Sequence, residues 1–138
     1  MFPSDTKFLV IDDFATMRKI VKKVLSELGY TRIEEADDGK PALALLQAAA
    51  AKNEHFQFVI SDWNMPGMTG IDLLKACKAD ANLKNIPFML VTAESEQKNI
   101  IEAAKSGVSE YIVKPFNAQT LKMKLEKVWA RTSAQKAA

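Results

Sequence analysis

Asp12 and Asp13 stand side by side in "FLVIDDFATM", Asp62 closes "FQFVISD", Thr92 closes "PFMLVT" and Lys114 closes "EYIVK". Adjacent carboxylates at a strand end repel each other, and partial burial disfavours their ionised form, so the pair needs a counter-charge. Asp is also favoured as a helix N-cap, a reading that accounts for one of the two and leaves the other over. If the strand that ends in Asp62 lies beside the first, three carboxylates converge and a divalent cation supplies the missing charge. Oxygen-only ligands select a hard cation such as Mg²⁺, which is commonly held by one or two carboxylates together with a phosphate. Lys114 can meet a phosphate oxygen as a mobile point charge, and Thr92 can donate its hydroxyl to another. The sequence has no Walker loop and no glycine-rich fingerprint, so a phosphate needs a different anchor. A carboxylate provides one by acting as nucleophile and becoming an aspartyl phosphate.

These residues need a scaffold that gathers strand ends. Five apolar runs, "KFLVI", "RIEEA", "FQFVIS", "PFMLVT" and "EYIVK", alternate with five helix-like segments, the pattern of a parallel α/β sheet covered on both faces. In such sheets ligands bind beyond the carboxyl ends of the strands, where strand order reverses. Met17, Ile20, Val21, Val24, Leu25 and Leu28 recur at helical spacing ahead of Gly29, a stop signal. A second helix is expected to begin near Pro41 and run through "ALALLQAAAA", with Asp37 and Asp38 as turn or capping residues before it. Later helices are expected in "GIDLLKACKA", "EQKNIIEAAKSG" and "AQTLKMKLEKVWA", the last with Leu121, Leu125, Val128 and Trp129 on one packing stripe. The segment Ala48–Phe56 reads as a helix end and a loop, with His55 at the surface.

The 138 residues fit one compact domain. Residues 1–131 are expected to form it, with 132–138 as a disordered C-terminal tail. Nineteen basic and 17 acidic side chains leave a formal charge of +2, too small to argue for nucleic acid or an anionic membrane as partner. The single cysteine, Cys77, lies in an apolar helical pattern and reads as a buried, inert thiol. With neither a signal-peptide pattern nor a membrane-length apolar stretch, a soluble cytoplasmic protein is expected.

The acidic pair in "VIDDF", the aspartate in "VISDWNMPGMTG", the threonine in "LVTAE" and the lysine in "IVKPF" together resemble the signature of response-regulator receiver domains. The match holds in order and spacing across nearly the whole chain, and is strongest to the single-domain chemotaxis regulators of that family. The resemblance implies a doubly wound, five-stranded, flavodoxin-like (βα)5 fold of order 2-1-3-4-5. It implies that Asp62 accepts a phosphoryl group from a histidine kinase of the chemotaxis type. Asp13, Asp62 and the backbone carbonyl of Asn64 are then ligands of Mg²⁺, the implied cofactor, with Asp12 reaching the metal through water. Lys114 and Thr92 serve the phosphoryl group, while Asn64, Ala93 and Glu94 flank it. Lys114–Pro115 is expected to be a cis peptide. Thr92 and Tyr111 become coupled switch residues, and Ile100, Ala104, Tyr111, Val113, Lys124 and Lys127 fall on the output face. Trp63, beside the acceptor, is expected to be exposed enough to report local change.

Taken alone, Thr92 is an ordinary β-branched strand residue, Lys114 a solvated lysine and Tyr111 a packing aromatic. Two other chemistries fit less well. A Mg²⁺-dependent hydrolase of the haloacid dehalogenase type needs a second aspartate two residues after the nucleophile, where this chain has Asn64. A flavodoxin-like FMN carrier needs amides and hydroxyls after the first strand, where Asp12 and Asp13 repel phosphate. The resemblance therefore implies a monomeric signalling module, not a conventional enzyme, whose leading partner is a flagellar motor switch protein, with a phosphatase as a further one. Glu96 and Gln97, where motor-binding relatives commonly carry lysines, keep an alternative open: a phosphate sink, a phosphorelay intermediate or a receiver for a non-motor partner.

Overall fold

The computed structural model describes residues 2–93 and 97–137, with the side chains of residues 93, 97–100 and 133–137 left out of the description. Five strands, β1 Phe8–Ile11, β2 Ile33–Ala36, β3 Phe58–Asp62, β4 Phe88–Ala93 and β5 Glu110–Lys114, alternate with helices α1 Ala15–Glu27, α2 Gly39–Ala51, α3 Gly70–Ala79, α4 Gln97–Lys105 and α5 Ala118–Ala137. All strand pairs are parallel and the order is β2-β1-β3-β4-β5. This is the doubly wound sheet expected from the sequence.

The central strands β1, β3 and β4 are buried along nearly their whole length because both faces of the sheet are covered, whereas the edge strand β2 exposes Glu34 and Glu35. Leu9, Ile11, Val59 and Leu90 pack with Leu46, Leu73, Leu74 and Ala103, which belong to α2, α3 and α4. Phe8, Val10, Phe58, Ile60, Met89, Val91 and Ile112 point the other way, onto Val21, Val24 and Leu25 of α1 and Leu121, Leu125 and Val128 of α5. Ile20, expected on the α1 stripe, is 44% exposed. That stripe is wider than the strip of helix facing the sheet, and Ile20 sits on its solvent edge.

The helix α2 starts two residues before Pro41, with Asp38 at the N-cap. Proline is tolerated there because first-turn amides have no intrahelical acceptor. A capping box not foreseen from the sequence starts α3: the Asp72 amide donates to Thr69 Oγ1 and the Thr69 amide to Asp72 Oδ2, both at 3.3 Å. Gly29 and Gly107, at φ of +97° and +88°, follow α1 and α4 in the left-handed conformation that glycine adopts without penalty. The stretch expected as a disordered tail from residue 132 is helical to Ala137, as a continuation of α5.

The amino-terminal pole of the sheet is tied to α5. The Phe2 ring meets Phe58 at 5.3 Å and Trp129 at 5.0 Å, both edge-on, and the Tyr30 hydroxyl donates to the Phe2 carbonyl at 2.9 Å. Arg131 donates to the Ser109 carbonyl at 2.7 Å and to Glu110 Oε2 at 2.9 Å.

Gly70 opens α3 against the end of β3, where a Cβ would collide with the Asp62 backbone carbonyl and lie 3.0 Å from Trp63 Cα. Backbone cannot yield as a side-chain tip can, so Gly70→Ala should destabilise the fold by about 1–3 kcal/mol. Urea unfolding of the variant should show a lower midpoint with an unchanged slope.

Candidate functional site

Strand order reverses between β1 and β3, and the crevice beyond their carboxyl ends holds the acidic residues. In register, Ile11 pairs with Ser61, Asp62 with Val91, Thr92 with Val113 and Ala93 with Lys114. One carboxylate oxygen from each of Asp12, Asp13 and Asp62 lies within 4.8 Å of the others, an arrangement that can hold a metal ion. Asp12 and Asp62 are buried at 4% and 5% exposure, and Asp13 is half-buried. Lys114 reaches across from β5, its Nζ lying 3.0 Å from Asp62 Oδ1 and 3.7 Å from Asp12 Oδ2. The Lys114–Pro115 peptide is cis, as expected.

Burial, ahead of every other influence, pushes the Asp12 carboxyl up to about 6, with the Phe14 amide opposing it and the Asp62 charge adding to it. Burial also raises Asp62, against the hydrogen bond and charge of Lys114. One ammonium therefore leaves the cluster short of positive charge. Asp13 Oδ1 is buried without a hydrogen-bond partner, and an orphaned carboxylate oxygen beside two further carboxylates is a site that a hard cation fits.

The turn that carries the pair is held at several points. The Asp12 amide donates to the Ala36 carbonyl at 3.2 Å, and the Phe14 amide to Asp12 Oδ1 at 3.0 Å. Arg18 NH1 donates to the Asp12 carbonyl at 2.6 Å. The sequence reading passed over Arg18, which looks like one base among four on α1. Phe14, at the α1 N-cap, is 66% exposed beside the crevice. On the β3–α3 loop, Asn64 is exposed, and Met68 lies so close over Gly39 that a Cβ there would meet its Cγ at 2.7 Å.

Trp63 departs from expectation: it is 7% exposed and packs in the core layer with Met65, Ile71 and Leu90. Its amide donates to the Val91 carbonyl at 2.9 Å, which prolongs the β3–β4 ladder and carries the ring into the protein. Thr92 is buried on β4. Glu94 and Glu96 lie outside the described residues, as do the side chains of Ala93, Gln97 and Ile100. On the remaining output positions, Ala104 and Lys127 are exposed while Tyr111, Val113 and Lys124 are half-buried. Lys124 Nζ lies 4.8 Å above the Tyr111 ring and 3.5 Å from Glu110 Oε1, which also accepts from the Tyr111 amide at 3.0 Å. Away from this crevice, His55 is exposed and Cys77 is buried, its thiol pushed up to about 11 chiefly by burial.

A fold and an acidic crevice of this kind define a receiver module, and comparison with known proteins agrees. Residues 8–126 match the family described as "Response regulator receiver domain", and the chain belongs to that family. It is 53% identical over 127 residues to the chemotaxis protein CheY of Pseudomonas aeruginosa, covering 92% of this chain and 98% of that one. To the chemotaxis protein CheY-3 of Vibrio cholerae it is 54% identical over 125 residues, covering 91% and 92% of the two chains. Among solved structures it resembles the chemotaxis response regulator CheY4 of Vibrio cholerae, with a TM-score of 0.79 and 36% identity over 90% of this chain and 98% of that one. A putative response regulator from Chloroflexus aurantiacus gives a TM-score of 0.81 at 27% identity, over 91% and 98% of the chains. No described helix is long and apolar enough to cross a membrane.

The raised carboxyls set the pH response of the metal-free protein. Folding lifts Asp12 from 3.8 to about 6, so the folded state binds more protons across that window. The associated stability is present below the unfolded value and is lost as pH rises through the folded one. Thermal unfolding followed from about pH 4 to about pH 8 without divalent cations should therefore show the wild type losing stability relative to Asp12→Asn. Added Mg²⁺ should reduce that loss.

Proposed function

We propose that this protein is a phosphorylation-controlled switch of a chemotaxis-type two-component system. In this reading Asp62 is the phosphoacceptor. One of its carboxylate oxygens attacks the phosphorus of a kinase phosphohistidine, the P–N bond breaks, and its electron pair leaves with the imidazole. The observation that carries the reading is Lys114 Nζ, 3.0 Å from Asp62 Oδ1, beside three carboxylates at the strand ends. Burial favours the protonated form of Asp62, whereas attack requires the anion, so positive charge beside it has a chemical purpose. Lys114 favours the anion and can then turn to a phosphoryl oxygen, and Thr92 presents its hydroxyl from the next strand.

Asp12, Asp13, Asp62 and the Asn64 carbonyl would hold the Mg²⁺. Bound there, the cation neutralises charge that develops on the transferred phosphoryl oxygens. Asn64, Ala93 and Glu94 would border the phosphoryl group.

Output follows from the pairing of Thr92 on β4 with its neighbour strand. Thr92 pairs with Val113, two residues beyond Tyr111 on β5, and the half-buried Tyr111 ring lies under Lys124 of α5. Recruitment of the Thr92 hydroxyl by phosphate would shift Tyr111 between packings, a population shift that remodels the α4, β5 and α5 face. Ile100, Ala104, Tyr111, Val113, Lys124 and Lys127 form that face in this reading. Similarity to two chemotaxis proteins at 53% and 54% identity supports a chemotaxis kinase and a flagellar switch segment as partners, with cytoplasmic, monomeric action.

Incubation with a small acyl phosphate and Mg²⁺ should add one base-labile phosphoryl group, read by intact mass. Asp62→Asn should abolish it, and Lys114→Met should bind Mg²⁺ yet fail to switch. Undiminished labelling of Asp62→Asn would refute the acceptor assignment. The beryllofluoride-activated protein should bind a flagellar switch segment. Binding to another phosphorelay protein alone would favour the phosphate-sink or relay alternative.

A further inference from the structure

We propose that Arg18 is a positioning residue, which fixes the Asp12–Asp13 turn in the geometry that binds a divalent cation by gripping the Asp12 backbone carbonyl while Glu35 holds its other edge. The inference rests on reading Asp12, Asp13 and Asp62 as a Mg²⁺ site.

Between the last residue of β1 and the first turn of α1, two aspartates must reverse the chain and aim their side chains into the crevice. The Asp12 amide is fixed by the edge strand β2, and the Asp12 side chain by the Phe14 amide. Both ties belong to the turn or its immediate ladder. The α1 N-cap, Phe14, contributes no side-chain cap, so the orientation of the Asp12 peptide depends on a group from outside the turn. Arg18 supplies it at 2.6 Å.

The guanidinium is itself held. Its Nε lies 3.2 Å from Glu35 Oε1, and Lys22, one turn further along α1, occupies Glu35 Oε2 at 3.1 Å. Lys22 and Arg18 keep the Glu35 carboxyl below its ordinary range, so this anchor stays anionic at neutral pH. The Arg18 side chain is 18% exposed. A rigid fork can bond a carbonyl and a carboxylate at once, whereas an ammonium on a flexible stem does not reproduce that geometry. Arg18 meets the Asp12 turn at the backbone carbonyl and not at a carboxylate oxygen of the cluster.

The two mechanisms predict opposite signs. Deleting a positive charge near a cation site should tighten cation binding if charge alone matters, whereas loss of a positioning contact should weaken it. Mg²⁺ titrated calorimetrically into the full chain at fixed pH and salt separates them. Arg18→Met should weaken Mg²⁺ binding about 10-fold, the usual cost of losing a group that orients metal ligands. Arg18→Lys should recover little of this, despite restoring the charge. Lys19→Met, which removes the exposed charge next to Arg18 on α1, should stay within about twofold of wild type. Arg18→Met binding as tightly as wild type or tighter, or full rescue by Arg18→Lys, would overturn the inference while leaving the metal site standing. If Arg18→Met does not fold, the comparison of Arg18→Lys with Lys19→Met decides. Wild type that fails to bind Mg²⁺, or Asp13→Ala that binds it as tightly as wild type, would remove the metal site and this inference with it.

Discussion

Three carboxylates brought together under partial burial, with a single lysine touching two of them, form the constraint on which the rest of the structure depends. Such a cluster works against folding, since desolvation and mutual repulsion both disfavour the charged forms. The fold accommodates it by making nearly everything else in the central strands apolar. Phe8 through Ile11 and Phe58 through Ile60 are almost fully buried, so the layers on both faces stabilise the strands whose tips carry the charge. The crossover topology then concentrates the polar groups at one pole. The Asp62, Thr92 and Lys114 ends of three consecutive strands meet the acidic turn after the first.

That arrangement explains why so much was legible in the sequence. A strand covered on both faces is apolar at nearly every position, so the central runs β1, β3 and β4 stood out, and a polar residue closing such a run stood out within it. Asp62 and Thr92 were visible for this reason, and their placement on neighbouring strands follows the expected order. The elements that escaped do so for an equally physical reason. Arg18 is invisible because its partner is a backbone carbonyl, which has no letter in the sequence. Trp63 lies one position beyond a strand whose alternation ought to have ended, but the ladder continues through its amide and carries the ring into the core. Ile20 belongs to a periodic stripe that predicts which side of α1 is apolar but not how wide a strip the sheet covers. The helical continuation of α5 to Ala137 shows no apolar periodicity that pattern reading could register.

Charge patterning also separates two kinds of contact on the surface. The Lys75–Glu102 pair joins two exposed side chains at 3.3 Å and contributes little in water. Glu110 is different: its side chain is 10% exposed and it takes Arg131 on one oxygen and Lys124 on the other, with Lys124 also above the Tyr111 ring. Sequence inspection treats Glu110 as one charged residue at the start of a strand. In three dimensions it links the strand carrying Tyr111 to two turns of α5.

The attachment of α5 at the amino-terminal pole of the sheet has a mechanical consequence. Trp129 is wedged against Phe2, and Arg131 is fastened to Ser109 and Glu110, whereas Lys124 meets its neighbours through one long ion pair and a ring face. Leu121 and Leu125 are fully buried against the sheet as well, so α5 is pinned along its core face from residue 121 to residue 131. A change in packing beside Tyr111 is therefore taken up by side chains such as Lys124, above its ring, and not by travel of the helix axis.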